Sequence, residues 1–143
     1  MDMKEIANWV ARSLPGLICK QNWGETAWFY NPGGYFANGD PFLAITMRDR
    51  ESDTASRLDR VGVWRLSFHL PRAGFEAHFG TGGADDCAFD ALDRLTPHPD
   101  PRRAGWAAIN APSRRRFETL KPLLRDAHRA ARAGFETRFG AAA

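Results

Sequence analysis

The stretch from Pro41 to Leu70, PFLAITMRDRESDTASRLDRVGVWRLSFHL, contains two apolar runs joined by a long charged connection. In the second run, every other residue is apolar, as in a half-buried strand, and these residues are Trp64, Leu66, Phe68 and Leu70. The first run, residues 42–47, is apolar on both faces except at Thr46, which predicts an interior strand covered on both sides. The two runs therefore predict the centre of a sheet. Within the connection, Ser52 or Asp53 is predicted to cap a short helical turn.

The residues before this stretch predict a helix and two strands. Asp2 and Glu5 have the spacing of a capping box, and the helix is predicted to end before Pro15. Two short strands follow, with Glu25 in the turn between them, at Leu17–Asn22 and Thr26–Tyr30.

The segment after Leu70 predicts a helix and an irregular loop. Pro71 can open the helix and Gly80 can end it, and Asp85 is predicted to cap a further turn. Residues 96–101, TPHPDP, predict a stiff loop without regular structure, because proline lacks an N–H group and restricts the residue before it.

The last quarter of the chain predicts a strand and a long helix. The strand is Trp106–Asn110. We place the start of the helix at Thr119, since Pro122 then lies in the first turn, where its missing N–H has no cost. The helix should extend to about Arg138, and the terminal alanines 141–143 should fray.

Composition limits the classes of protein to consider. A chain of 143 residues fits a single domain. Cys19 and Cys87 have no metal-ligand spacing, and neither a signal peptide nor a membrane-spanning run is evident. We therefore expect a cytoplasmic protein with free thiols, no membrane association, no cofactor and no metal.

Basic residues are concentrated towards the C-terminus, although the net charge is only +3. Two arginine clusters flank the last predicted strand, and they contain Arg102, Arg103, Arg114, Arg115 and Arg116. Arginine suits phosphate recognition, so these five residues are candidates for a nucleic-acid-binding surface. The alternative is a solvated basic rim without a partner.

A second group of polar residues lies near the predicted centre of the sheet. Its members are Asp49, Asp53, Ser56, Asp59, Arg60, Arg65 and, from the proline-rich loop, His98. One interpretation is a buried ion network, in which Arg65 pairs with Asp49 or Asp59. The other is a ligand pocket formed by Asp49, Ser56, Arg60, Arg65 and His98, with an arginine holding an anion and Asp49 or His98 accepting a proton.

The sequence favours binding over catalysis. No serine or cysteine has an activating base beside it in the sequence. A nucleic-acid-binding module is the leading interpretation, a small-ligand protein or enzyme using the polar group is the alternative, and a dimeric protein-interaction adaptor is the third.

The order of predicted elements resembles the MmcQ/YjbR group of small bacterial proteins. The residues that carry this resemblance are the opening helix into Leu14-Pro15-Gly16, the segments Trp28–Tyr30 and Pro41–Ile45, and Trp106–Asn110 leading to Leu120 and Leu123–His128. The chain is also similar, over nearly its whole length, to an uncharacterised bacterial family through Pro41-Phe42, Asp49, Ser56, Leu58–Arg60, Gly62-Val63, Arg65-Leu66, Asp90, Leu92-Asp93 and Pro97–Pro99.

The MmcQ/YjbR resemblance implies an α+β fold over residues 1–143, a two-layer sandwich with helices packed on an antiparallel sheet, similar to that of secretion chaperones. It also implies a double-wing DNA-binding role and, through the chaperones, a homodimer. The chain departs from the group's usual pattern because Arg102, Arg103 and Ala104 stand where a His-Met-Asn-Lys type stretch is expected.

Overall fold

The computed structural model describes residues 1–81 and 87–140. Within these ranges, six antiparallel strands form one sheet in the order β1-β2-β3-β4-β6-β5, and three α-helices accompany it. The strands are β1 Leu17–Asn22, β2 Glu25–Tyr30, β3 Leu43–Thr46, β4 Arg65–His69, β5 Leu95–Pro97 and β6 Trp106–Asn110. The helices are α1 Met3–Ser13, α2 Arg72–Phe79 and α3 Arg114–Phe139. The predicted α+β two-layer sandwich is confirmed.

The hydrophobic core lies between the sheet and the helices α1 and α3. β3 and β4 pair at its centre, with Leu43 opposite Phe68 and Ile45 opposite Leu66, as the alternation in β4 predicts. The residues facing them from the helices are Ile6, Trp9, Val10, Phe117, Leu120 and Leu124. Each side chain of this size stabilises the fold by about 1.5–3 kcal/mol when fully buried. The apolar face predicted for the second run, Trp64, Leu66, Phe68 and Leu70, is therefore confirmed as buried.

The start of α3 differs from the prediction. The helix begins at Arg114, because the Ser113 side chain accepts a hydrogen bond from the Arg116 N–H, and Pro122 lies inside the helix. Pro122 cannot donate to the carbonyl group of Glu118, but that residue is exposed and water can take the donor's place. Burial of Phe117 in the additional helical turns offsets the cost of the proline.

Two further predictions of local structure are wrong. No short helix forms in the connection between β3 and β4, because its side chains bond its own backbone and the sheet. The proline-rich segment begins as a strand: β5 ends at Pro97 and lies at the edge of the sheet, where a missing N–H removes no ladder bond. The turn predicted at Asp85 and the fraying predicted for residues 141–143 lie outside the described residues.

None of the helices in the described part of the chain has both the length and the apolar character needed to cross a membrane.

Candidate functional site

The face of the sheet away from α1 and α3 carries two parallel rows of side chains. One row, here called the small-residue row, is aligned by the strand register as Ala27, Ala44, Ser67, Ala108 and Thr96. The adjacent row, here called the polar row, consists of Glu25, Thr46, Arg65 and Asn110. The short side chains of the first row leave space above the sheet, so long side chains can lie flat against it.

Arg65 forms a buried ion pair in the polar row. Its guanidinium donates to both carboxylate oxygens of Asp53, at 2.9 and 2.5 Å, and to Ser56 Oγ at 3.1 Å, and only 1% of the residue is exposed. Burial alone would raise the pKa of Asp53, but the hydrogen bonds and charge of Arg65 outweigh it and hold that pKa below its ordinary value. The prediction of a buried arginine pair is confirmed, whereas its predicted partners, Asp49 and Asp59, are wrong.

Asp49 and Arg60 fasten the connection between β3 and β4 instead of joining a pocket with Arg65. Asp49 accepts the Leu58 N–H through its side chain, and Asp59 accepts the N–H of Asp49. Arg60 donates to three backbone carbonyl groups, those of Ser56, Arg57 and Asp90. The structure thus brings together Ser56, Arg65 and His98 from the predicted pocket and places Asp49 and Arg60 in structural roles.

Glu25 joins the other end of the polar row to the loop before β6. Arg103 contacts both of its carboxylate oxygens, at 2.5 and 3.2 Å, and Arg50 contacts it at 2.8 Å. A cleft of about 230 Å³ opens above this network, and its lining residues are Glu25, Arg50, Asp53, Asp100, Arg102 and Arg103. Each of its carboxylates is bound by an arginine, and Glu25 is bound by two of them, Arg50 and Arg103. With the buried Arg65, four arginines meet three carboxylates, so this network carries a net charge of +1.

His98 is a buried residue whose pKa is strongly lowered. Burial, followed by the charge of Arg65, lowers its pKa from 6.5 to about 3. Its Nδ1 accepts the Asp100 N–H at 3.0 Å, so in the neutral ring the proton is on Nε2. Nε2 is buried and has no hydrogen-bond partner among the described residues. The ring is therefore a hydrogen-bond donor and not the proton acceptor that the sequence suggested.

A larger cleft, here called the Trp106 cleft, lies between α2 and the loop that joins β5 to β6. Its volume is about 540 Å³. It is lined by the rings of Phe75, Phe89 and Trp106, by the prolines at 97, 99 and 101, and by His98 and Asp100. Trp106 packs edge-on against His98 at 6.2 Å and against His69 at 6.5 Å, while Arg103 lies 4.6 Å from its ring centre. These three contacts fix the orientation of the Trp106 ring in the wall of the cleft.

The profile of a family of unknown function, DUF6194, matches residues 1–140. The chain belongs to the DUF6194 family. No curated protein and no solved structure matches it. The resemblance to the MmcQ/YjbR group stays a prediction.

In this DUF6194 protein, the arginines predicted to bind nucleic acid lie at the two ends of β6, and several of them bind carboxylates. Arg102 pairs with Asp100, Arg103 with Glu25 and Arg114 with Glu5. Arg115 and Arg116 are exposed at the start of α3. Farther along α3, basic residues also form ion pairs, namely Lys121–Glu118, Arg129–Asp126 and Arg132–Glu136. Arg102, Arg103, Arg114, Lys121, Arg129 and Arg132 thus each have an acidic partner.

Other reactive groups are dispersed. Cys19 is exposed, Cys87 is partly buried, and both are free thiols. In residues 1–81 and 87–140, no three histidine, cysteine or acidic side chains are grouped so that they could hold a metal ion.

Proposed function

We propose that this protein binds a small organic molecule in the Trp106 cleft. The observation that carries the proposal is the cleft itself, whose volume of about 540 Å³ and lining of rings, prolines and two polar side chains fit a ligand pocket. Such sites have volumes of about 300–1,000 Å³ and are mainly apolar, with a few polar groups for orientation.

The state of the polar residues favours binding over acid–base catalysis. His98 has its proton on Nε2 and its Nδ1 occupied. The Asp100 carboxylate is bound by Arg102, and this hydrogen bond lowers the pKa of Asp100 to about 2. Neither group is a free base at neutral pH, so the cleft offers recognition without an evident proton acceptor.

Nucleic-acid binding has less support in the geometry. Among the five candidate arginines, Arg102, Arg103 and Arg114 already contact carboxylates, so phosphate contacts would compete with those ion pairs.

The proposal can be tested with an aromatic fragment library and nuclear magnetic resonance. Fragments that bind should shift the indole N–H signal of Trp106. Ala104 lines the cleft and is exposed, so Ala104→Phe should fill the cleft without disturbing the core and abolish these shifts. Ala11→Phe, at an exposed position of α1, is the matched control and should keep them. The proposal fails if no fragment shifts Trp106, or if Ala104→Phe binds the same fragments as the wild type.

A further inference from the structure

We infer that the cleft of about 230 Å³ above the Glu25 network is a binding site for a phosphate group. This cleft, here called the arginine cleft, is lined by Glu25, Arg50, Asp53, Asp100, Arg102 and Arg103. The inference does not depend on the proposed function, because the arginine cleft and the Trp106 cleft have only one lining residue in common, Asp100.

Arginine side chains form the accessible part of the arginine cleft. The side chains of Arg103, Arg50 and Arg102 are 19%, 28% and 69% exposed. The side chains of the three acidic lining residues are only 4–8% exposed. A solute that enters the cleft therefore meets guanidinium groups, since the carboxylates are buried.

The charge of the network favours an anion. Its four arginines and three carboxylates have a net charge of +1. His98, whose charge would interact with Asp53 and Asp100, is neutral at pH 7 because burial lowers its pKa to about 3. A phosphate group on an organic compound carries a charge of about −1.5 to −2 at this pH, so the network would attract it and partly balance it.

Two of the arginines retain hydrogen-bond donors that the ion pairs do not use. Arg50 contacts Glu25 through Nη2, and Arg102 contacts Asp100 through Nε and Nη2. Among the described residues, no hydrogen bond involves Nη1 of either arginine. A phosphate oxygen can therefore accept from these groups while the ion pairs stay intact. A nucleic acid needs contacts at several arginines, whereas one phosphate group needs only these donors.

The size of the cleft and the arrangement of its arginines suit a compact oxyanion. Its volume of about 230 Å³ is below the range of about 300–1,000 Å³ that is typical of sites for drug-sized ligands. Arg50 belongs to the connection between β3 and β4, whereas Arg102 and Arg103 belong to the turn before β6. Guanidinium groups from two separate segments can bind different oxygens of one tetrahedral phosphate.

Titration with sodium phosphate at pH 7, followed by nuclear magnetic resonance, tests the inference. With sodium chloride added to keep the ionic strength constant, phosphate should shift the backbone N–H signals of Arg50 and Arg102. Arg50→Gln lowers the charge of the network to zero and removes an unused donor, while Glu25 keeps Arg103 as its partner. This variant should raise the dissociation constant of phosphate by about threefold to tenfold. Arg50→Lys keeps the charge and should lose less affinity.

Arg48→Gln is the matched control for the loss of one positive charge. Arg48 lies two positions from Arg50, is exposed and does not line the cleft, so the variant should bind phosphate as the wild type does. The inference is overturned if phosphate shifts no signal beyond the effect of chloride. It is also overturned if Arg48→Gln and Arg50→Gln weaken binding equally, because the effect would then be that of surface charge in general.

Phenyl phosphate distinguishes a free phosphate ion from the phosphate group of a larger ligand. Asp100 lines both clefts, and Arg103 lies against the ring of Trp106, so an aromatic phosphate ester would extend from one cleft into the other. In that case phenyl phosphate should bind more tightly than inorganic phosphate, and Ala104→Phe should remove the difference. Equal affinities in both proteins would support a site for free phosphate. If fragments fail to bind in the Trp106 cleft but phosphate binds as described, the proposed function fails and this inference stands.

Discussion

His98 should make the protein lose stability as the pH falls from 7 to 5. The folded protein keeps this ring neutral, because burial and the charge of Arg65 lower its pKa from 6.5 to about 3. The unfolded chain protonates the same ring below its ordinary pKa, so the unfolded state binds more protons and the free energy of unfolding decreases with falling pH. The contribution is complete above pH 6.5 and is lost progressively between that value and about pH 3.

The size of the loss follows from the two pKa values. Between pH 7 and pH 5, protonation of the unfolded chain alone lowers the free energy of unfolding by about 2 kcal/mol. The folded pKa of about 3 lies well below this interval and hardly affects the result. Asp53 and Asp100 also have lowered pKa values, so they stabilise the fold above the ordinary value of 3.8 and lose that contribution only in more acidic solution.

Urea unfolding followed by tryptophan fluorescence at pH 7 and pH 5 measures this effect. His98→Asn cannot ionise but retains an oxygen that can accept the Asp100 N–H, so its stability should fall by about 2 kcal/mol less than that of the wild type over the same interval. His69, whose pKa is also lowered by burial, is present in both proteins and cancels in the comparison. His78→Gln, at an exposed position, should behave as the wild type. Equal losses of stability in the wild type and His98→Asn would refute the reasoning.

Two further predictions concern the arginines. Arg65→Ala should lower the free energy of unfolding by about 3–5 kcal/mol, because it leaves the buried Asp53 carboxylate without its partner, whereas Arg72→Ala, which breaks an exposed pair, should cost less than about 1 kcal/mol. A urea midpoint that is the same for Arg65→Ala and the wild type would contradict the network. For nucleic acid, we expect a duplex-DNA titration in low salt to show no binding tighter than about 100 μM. Tighter binding that is lost in a variant with alanine at positions 114–116 would instead support the nucleic-acid interpretation.

The parts of the fold that depend on local alternation could be predicted from the sequence. Leu66 and Phe68 reveal the buried face of β4 because neighbouring residues on a strand point in opposite directions. The start of α3 could not be predicted in the same way. The local rule against proline inside a helix is outweighed by the burial of Phe117, which depends on where the sheet lies.

The candidate site was less accessible to sequence reasoning. Glu25 seemed part of a turn, yet it is the first residue of β2 and its side chain meets Arg103, which is distant in the chain. Asp53 could not be distinguished from Asp49 or Asp59 as the partner of Arg65, because the path of an irregular connection determines which carboxylate lies next to the guanidinium group. The residue types therefore predicted a buried ion pair, but only the folded structure shows that its carboxylate is that of Asp53.

The small-residue row has a consequence for how sequences in this family can diverge. Ala44 and Ala108 lie directly beside Ser67 and are almost completely buried, so a larger side chain at either position would occupy the space used by Arg65 and its neighbours. A larger residue in the small-residue row therefore requires a compensating substitution among the side chains that pack on that row. Substitution of these alanines by larger residues should therefore be accompanied by substitution of both Arg65 and Asp53. We expect that a relative with valine at position 108 has neither residue of this ion pair.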